Sequence, residues 1–255
     1  MDPRSAPVKQ LEEIRGSIEL LFFDLDGTLR LNEPDATGYF YDQVEKFGIH
    51  STPERRREAE RWTHVYWASS SELLQDLATF GNWNNNGAFW QNHARRHLKV
   101  LGASDAEAAR LAPIITESML AEYNPVDFVL DDVRSTLREL KTSGRTLAVV
   151  SNRAEALGPI LDELGLGNYF EFSLAAGEVD YWKPDPRLLL HAASIAAARP
   201  EQIVYVGDND SADVVCARQA GMTPILYDPK GIFPDADCVI ISQMRELLNL
   251  LDDRR

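Results

Sequence analysis

Short apolar runs that end in polar or acidic residues recur along this chain. The run from Ile18 to Phe23 is mostly apolar, as is typical of a strand buried on both faces of a sheet. Similar runs at 146–150 and 203–206 predict two further strands. The other elements predicted after the first run are helices at 132–142, 186–198, 211–220 and 243–251, and strands at 223–227 and 237–241. This alternation predicts an α/β fold, a parallel sheet with helices on both faces.

The segment from about 37 to 122 has a different pattern, since its apolar residues recur at helical spacing. It is rich in aromatic residues, most of which we expect to fill the core of a small helical bundle. We therefore predict three parts. They are an N-terminal extension at 1–17, an α/β core at 18–36 and 123–255, and a smaller α-helical domain at 37–122.

Composition limits the possible partners and the compartment. The net charge of −14 argues against broad binding to nucleic acids or anionic membranes, which requires a basic surface. No apolar stretch is long enough to span a bilayer, and the first residues do not resemble a signal peptide. Cys216 and Cys238 lack the spacing of a metal site, so we expect buried free thiols. A cytoplasmic location is the default expectation.

Two acids stand one residue apart where the first strand ends. Asp24 and Asp26 are followed by Gly27, which supplies a sharp turn. Ligands bind at the carboxyl ends of the strands in an open parallel sheet. Two carboxylates placed there repel each other unless a cation lies between them, so the pair suggests Mg²⁺, with one acid as nucleophile and the other as proton donor. An ordinary Asp-Gly turn that caps a helix is the alternative.

Three further segments carry polar groups at similar positions. Ser151 and Asn152 end the second apolar run and can donate hydrogen bonds to an oxyanion. The third run ends in Gly207-Asp208, with Asp213 close behind, and Lys183 precedes a Pro-Asp-Pro segment. Each segment alone is compatible with a helix cap or a turn.

The four segments in this order resemble the haloacid dehalogenase superfamily, and specifically its phosphatases, of the phosphoglycolate phosphatase-like or nucleotidase-like kind. The family pattern is Asp-x-Asp-x-Thr, a strand ending in Ser or Thr, a Lys, and Gly-Asp with a second Asp. Here these are Asp24 to Thr28, Ser151, Lys183, and Gly207-Asp208 with Asp213. The resemblance implies a Rossmann-like core and identifies the insert at 37–122 as an α-helical cap domain that selects the substrate.

The resemblance also implies a role for each matched residue. Asp24 is the nucleophile that forms an aspartyl-phosphate, and Asp26 is the general acid and base, which requires a pKa above that of Asp24. The cofactor is Mg²⁺, held by Asp24, the backbone carbonyl of Asp26 and Asp208. Asp213 is either a further ligand or a residue that orients water at the metal. The phosphoryl-binding residues are Ser151, Asn152, Lys183 and Thr28.

The expected activity is hydrolysis of a small phosphorylated metabolite, with the substrate and the oligomeric state left unspecified. The metal-independent dehalogenases of the superfamily lack the second acid, so Asp26 and Asp208 argue against that activity. Phosphonate hydrolysis needs a cap lysine, and nothing singles out Lys46 or Lys99. A sugar phosphomutase is the alternative enzyme. A non-catalytic phospho-ligand-binding regulator is the alternative outside catalysis, but it would be expected to lose a motif acid.

Two features of the helical segment remain open in the sequence. Trp83 lies in the polar loop 81–87 with no helix around it to pack into, which favours an exposed connection over a loop that overhangs the active site. His93 and His97 are four residues apart, next to Arg95 and Arg96. They have no nearby third ligand, so a solvated basic helix face is favoured over a metal site.

Overall fold

The computed structural model describes residues 5–84 and 86–252. The chain divides into two compact units, one of Met1–Leu31 with Asp127–Arg255 and one of Asn32–Val126, which we call the sheet unit and the helical unit. The helical unit extends a few residues beyond the predicted domain at both ends. Of the predicted N-terminal extension, residues 1–4 lie outside the described residues.

The strands of the sheet unit form a parallel sheet, as predicted, but the strand at 172–175 was not among the apolar runs identified in the sequence. They are β1 (Leu20–Phe23), β4 (Thr146–Ser151), β5 (Phe172–Ala175), β6 (Ile203–Gly207), β7 (Thr223–Tyr227) and β8 (Val239–Ile241). In the described part of the chain they make a six-stranded sheet in the order β5-β4-β1-β6-β7-β8. Two short strands, β2 (Leu31–Glu33) and β3 (Val126–Phe128), contain the points where the chain passes between the units.

Strand β1 is buried on both faces, which explains its unbroken apolar sequence. Leu21 and Phe23 belong to one hydrophobic cluster, while Leu20 and Phe22 belong to another. The same alternation divides the side chains of β4 and β6 between the two clusters. Because each face must be covered by helices, the sheet is held in the middle of the unit and its strand ends are fixed.

The helices of the sheet unit include the predicted ones, with shifts at their ends, and two at 158–163 and 176–179 that were not predicted. They are α1 (Ser5–Ile14), α7 (Asp131–Thr142), α8 (Gly158–Glu163), α9 (Ala176–Val179), α10 (Arg187–Ile195), α11 (Val215–Gln219) and α12 (Glu246–Leu250). The predicted helix at 211–220 begins with a π-helical turn, Asp210–Val214, before α11. The side chain of Asn209 caps that turn, accepting from the backbone N–H groups of Ser211 and Ala212.

The helical unit consists of helices with well-defined polar caps. They are α2 (Ala36–Lys46), α3 (Pro53–Trp67), α4 (Ser71–Phe80), α5 (Gly87–Val100) and α6 (Asp105–Glu122). Ser70 caps α4, and Ser104 with Glu107 forms a capping box on α6. Helices α4 and α5 are joined by Arg96, which donates to the buried Asp76 carboxylate through two hydrogen bonds of 2.9 Å.

The prediction that Trp83 is an exposed connection is wrong. Its ring is partly buried and packs against Trp67 and Phe89, with ring centroids 5.5 Å and 6.1 Å away. The Trp83 carbonyl also accepts a hydrogen bond from Trp90 Nε1 at 2.9 Å. Helix α3, which carries Trp67, supplies part of the packing surface. The loop sequence did not indicate this contact, because α3 lies well before it in the chain. Asn85 of the same loop lies outside the described residues.

The favoured interpretation of His93 and His97 as part of a solvated basic face is also wrong. His97 is 3% exposed, and its ring stacks on Phe40 with centroids 4.5 Å apart. Burial lowers the pKa of His93 to about 4, against an opposing effect of the Asp76 carboxylate. Burial, together with His93, lowers the pKa of His97 to about 3. Both imidazoles are therefore neutral at pH 7.

This burial predicts a pH-dependent stability of the helical unit. An unfolded histidine takes up a proton below a pKa of about 6.5, whereas His97 in the folded protein stays neutral. The free energy of unfolding is therefore at its full value above about pH 6.5 and falls as the pH is lowered toward about 3. His97→Phe should remove on the order of 3 kcal/mol of that pH dependence, measured by urea unfolding at pH 7 and pH 4.5. The exposed His191→Phe is the control, and a pH dependence that His97→Phe leaves unchanged would contradict the assignment.

Two further sequence expectations concern the cysteines and membrane-spanning segments. Cys216 and Cys238 are buried free cysteines, as predicted, and burial raises the pKa of each thiol to about 12. Among the described residues, no helix is both long enough and apolar enough to cross a membrane.

Candidate active site

Three carboxylates meet at the carboxyl ends of two neighbouring strands. Asp24 follows β1 directly and Asp208 follows β6, and these strands pair in parallel with Phe23 opposite Val206. Asp213 comes from the π-helical turn after β6. One oxygen of each of the three carboxylates lies within 4.8 Å of the others, and within the described part of the chain these are the residues grouped closely enough to hold a metal ion. Carboxylate oxygens are the donors that Mg²⁺ and similar hard cations prefer.

Gly27 is required by the closeness of the Asp208 carboxylate. Its φ of +85° lies in the left-handed region, and a Cβ at this position would lie 2.3 Å from Asp208 Oδ2. Thr28 is buried, and its hydroxyl donates a 3.4 Å hydrogen bond to Asp208 Oδ1. The turn after β1 thus brings backbone and hydroxyl groups against the second carboxylate. In this structure the Thr28 hydroxyl orients Asp208, and the predicted contact with phosphate stays a prediction.

Lys183 is a buried cation between two of the carboxylates. Its Nζ donates to Asp24 Oδ1 at 2.7 Å and to Asp213 Oδ1 at 2.6 Å. The side chain is 2% exposed. Burial opposes the charge, but Asp213 and Asp24 outweigh it and hold the pKa of Lys183 well above its ordinary value. Lys183 therefore stays protonated and offsets part of the negative charge of the cluster.

The carboxylates are only partly compensated by Lys183. Burial raises the pKa of Asp24 to about 6, against the opposing effect of Lys183, and the charges of Asp213 and Asp26 add to the increase. Burial, together with Asp213 and Asp24, raises the pKa of Asp208 well above its ordinary value. A divalent cation would relieve this repulsion, so the electrostatics of the cluster fit a metal site.

Asp26 has a different environment from the other acids. Arg153 donates to it through Nε at 2.7 Å and Nη2 at 3.1 Å, and Arg30 forms a second ion pair with it. Burial opposes ionisation, but the two guanidinium groups outweigh it and lower the pKa of Asp26. Among the protein's own groups, the pKa of Asp26 thus lies below that of Asp24, the reverse of the order expected from the sequence. The physical reason is the pair of arginines, which the sequence did not identify.

Ser151 is the last residue of β4, which lies beside β1, and Asn152 follows it. Ser151 is 2% exposed, and it is paired with Ala175 of β5 in the parallel sheet. The Asn152 amide exchanges two hydrogen bonds with the backbone of Lys183, accepting from its N–H at 2.7 Å and donating to its carbonyl at 3.0 Å. Asn152 thus fixes the segment that carries Lys183. Binding of phosphoryl oxygens by Ser151 and Asn152 stays a prediction.

Both carboxylate oxygens of Asp213 accept hydrogen bonds from neighbouring groups. Its Oδ1 accepts from Lys183, and its Oδ2 accepts from the backbone N–H of Asn209 at 2.9 Å. A Cβ on Gly207 would lie 2.3 Å from Asp213 Cγ, so only glycine allows this approach. With both oxygens engaged, Asp213 is better placed to orient Lys183 and the 209 loop than to bind a cation directly.

Tyr205, Arg153 and Arg30 belong to the site but were missed in the sequence. The Tyr205 hydroxyl accepts from Lys183 Nζ at 2.9 Å and donates to the carbonyl of Val150 at 2.8 Å. Tyr205 is the polar-tipped residue in an otherwise aliphatic strand run, a signal that could have drawn attention to it. Arg153 directly follows Ser151-Asn152, and Arg30 follows the first motif, so their positions beside motifs were the available signal.

Tyr205→Phe should lower kcat about tenfold while the protein stays folded, because one hydrogen bond to Lys183 is lost and the ring is kept. Steady-state turnover measures the effect, and KM should change little. Tyr66→Phe is the matched control, since it removes a buried tyrosine hydroxyl that donates to Asp76 at 3.0 Å. Equal losses of kcat in both variants would mean that Tyr205 acts on stability and does not position Lys183.

Comparison with known proteins identifies the family. Residues 18–221 match the family described as haloacid dehalogenase-like hydrolase. Phosphoglycolate phosphatase 1 of Pseudomonas aeruginosa is 28% identical over 91% of this chain and 79% of its own length. Human haloacid dehalogenase-like hydrolase domain-containing protein 3 is 31% identical over 86% of each chain.

Solved structures agree with the fold. A 2-haloacid dehalogenase from Pseudomonas syringae is 29% identical, with a TM-score of 0.53 over 92% of this chain and 98% of that one. A predicted phosphoglycolate phosphatase from Haemophilus somnus has a TM-score of 0.57 over 92% of this chain and 99% of that one, at 20% identity, which shows the fold alone. The sequence match over most of the chain and the parallel sheet with its acidic cluster lead to one conclusion: the protein is an enzyme that belongs to the haloacid dehalogenase-like hydrolase family.

Proposed function

We propose that this protein is a Mg²⁺-dependent phosphatase that hydrolyses a small phosphomonoester through an aspartyl-phosphate on Asp24. The observation that carries the proposal is the placement of Asp24 at the end of β1, between the protonated Lys183 and the Asp208 carboxylate. Asp24, Asp208 and the backbone carbonyl of Asp26 would hold the cation. When bound, Mg²⁺ would neutralise the charge of the transferring phosphoryl group.

The first chemical step is attack on phosphorus by a carboxylate oxygen of Asp24. The new Asp24 oxygen–phosphorus bond forms as the bond from phosphorus to the leaving alcohol breaks. Lys183 already donates to Oδ1 of Asp24 and would stabilise negative charge on the phosphoryl oxygens, together with Ser151 and Asn152. The leaving oxygen takes a proton from Asp26.

In the second step, water attacks phosphorus and the bond to Asp24 breaks, which releases inorganic phosphate. Asp26 takes the proton from that water. Because Arg153 and Arg30 keep Asp26 ionised, the geometry supports this base role more directly than the acid role in the first step. Arg153 would need to shift partly from Asp26 toward the phosphoryl group for the acid role, which its partly exposed side chain permits.

Relatives named phosphoglycolate phosphatase support a small substrate with a phosphomonoester bond. We propose that the helical unit is the cap domain that selects this substrate. A screen of phosphoglycolate, sugar phosphates and nucleoside monophosphates would identify it. The similarity to a 2-haloacid dehalogenase favours dehalogenation as a second candidate, which chloride release from 2-chloropropionate would test. Asp26 and Asp208 make phosphate transfer the better-supported activity.

Removal of divalent cations should abolish hydrolysis of p-nitrophenyl phosphate. EDTA should lower turnover by about 10³-fold or more, since both the charge neutralisation and the substrate-binding contribution of the cation are lost. Added Mg²⁺ should restore it, whereas added Na⁺ at equal ionic strength should not. Full activity in EDTA would overturn the proposed cofactor. Release of chloride from 2-chloropropionate, with no release of phosphate from p-nitrophenyl phosphate, would overturn the proposed reaction.

A further inference from the structure

The helical unit contains a partly open cavity of about 350 Å³. This volume falls within the range of small-molecule sites, which are about 300–1,000 Å³. Every residue that lines the cavity lies within the helical unit, between Ala36 and Tyr123. Its walls are mainly apolar and include the aromatic rings of Phe40, Trp67 and Trp90. None of the phosphate-site residues described above takes part in it.

Three residues of the lining each carry a buried polar atom that has no hydrogen-bond partner among the described residues. These atoms are Nε2 of His93, Nε2 of His97 and Oγ1 of Thr116, each buried from solvent. His97 is 3% exposed and Thr116 is 4% exposed. An unpaired buried polar group lowers the free energy of unfolding by about 1–3 kcal/mol, so a hydrogen-bond partner is expected at such positions. A ligand that supplies a hydrogen-bonding group would provide one.

The lining also excludes charged ligands. It contains no lysine, arginine, aspartate or glutamate, and both histidines are neutral because burial lowers their pKa values to about 4 and about 3. A phosphate or a carboxylate would therefore lie against apolar walls without a counter-charge. A flat apolar ring fits the aromatic walls, and a hydroxyl can both donate to an imidazole nitrogen and accept from Thr116.

We propose that this cavity is a binding site for a neutral aromatic molecule that carries a hydroxyl or a similar group. Such a molecule can be free or can be the organic part of a phosphomonoester. The site does not rest on the proposed phosphatase activity, because its residues are separate from the acidic cluster and its occupancy can be measured without a phosphate.

The test uses 4-methylphenol and toluene as probes, since they differ by the hydroxyl alone. Isothermal titration at pH 7.5 with the full chain should show saturable 1:1 binding of 4-methylphenol. Thr116→Val and His97→Phe should each weaken its affinity about tenfold, because each removes one hydrogen-bond partner and keeps the shape. Toluene affinity should change less than about twofold in the same variants.

Thr136→Val is the matched control, since Thr136 has a buried unpartnered hydroxyl on α7, away from this cavity, and its replacement should leave both affinities unchanged. Absence of saturable binding by the folded wild-type protein, or equal 4-methylphenol affinity in all the variants, would overturn the proposal. Inhibition of p-nitrophenyl phosphate hydrolysis separates the two sources. If 4-methylphenol inhibits competitively, the cavity holds the organic part of a substrate. If 4-methylphenol binds without competing, the cavity holds a separate, free molecule.

Discussion

Asp24→Asn is expected to lower kcat for phosphomonoester hydrolysis by about 10⁴-fold or more, since the amide has almost the volume of the carboxylate but is not a nucleophile. The fold should persist, because the amide oxygen can still accept the hydrogen bond that Lys183 Nζ donates to Asp24 Oδ1. Circular dichroism and a thermal melt check the fold, and steady-state kinetics measure the loss.

Asp185→Asn is the control for this variant. Asp185 lies two residues after Lys183 and pairs with Arg187. Its replacement therefore removes an acid from the same segment without altering the carboxylate cluster. Its kcat should stay within about twofold of wild type. Near-normal turnover by Asp24→Asn would mean that another group attacks phosphorus.

Asp26→Asn is expected to lower kcat by about 10²–10⁴-fold, the usual contribution of a general acid–base group. The amide cannot accept a proton from water, so hydrolysis of the aspartyl-phosphate should suffer and the intermediate should accumulate. Rapid mixing followed by an acid quench measures that accumulation. An enzyme that matched wild type at every pH would have no acid–base role at Asp26.

Asp127→Asn is the matched control for Asp26→Asn. Asp127 accepts from Arg30 Nε at 2.7 Å and from Nη2 at 2.6 Å, so its replacement also disturbs Arg30. It should change kcat only a few-fold, because the contact of Arg153 with Asp26 remains. A loss as large as that of Asp26→Asn would assign the effect to the position of Arg30.

The residues that could be predicted were those whose role follows from a strand end. An apolar run such as 18–23 must be buried on both faces, and the acid after it must then lie at the ligand-binding edge. Asp24 and Asp208 were therefore predicted to lie at the same edge of the sheet, and with Asp213 the three carboxylates do come together. The α/β class was predicted from the alternation of strands and helices, and the family from the resemblance of the four motifs, and both are confirmed.

The contacts that could not be predicted join residues far apart in the sequence. Arg153 reaches Asp26 across 127 positions, and nothing local to either residue shows that contact. It reverses the pKa order that the expected mechanism required. Similarly, His93 and His97 have charged neighbours in the sequence, but helix packing turns their rings into an aromatic cluster. Local pattern identifies an element, whereas the partner of a side chain depends on tertiary packing.

The central claim is that Asp24 carries the phosphoryl group during turnover. The most direct measurement mixes the Asp26→Asn variant with Mg²⁺ and p-nitrophenyl phosphate, quenches in acid within milliseconds, and maps the phosphorylated peptide by mass spectrometry. The account predicts one phosphoryl group on the peptide that contains Asp24, and its absence from the Asp24→Asn variant. Release of p-nitrophenol in the first turnover with no phosphoryl adduct, or an adduct on any other residue, would contradict it.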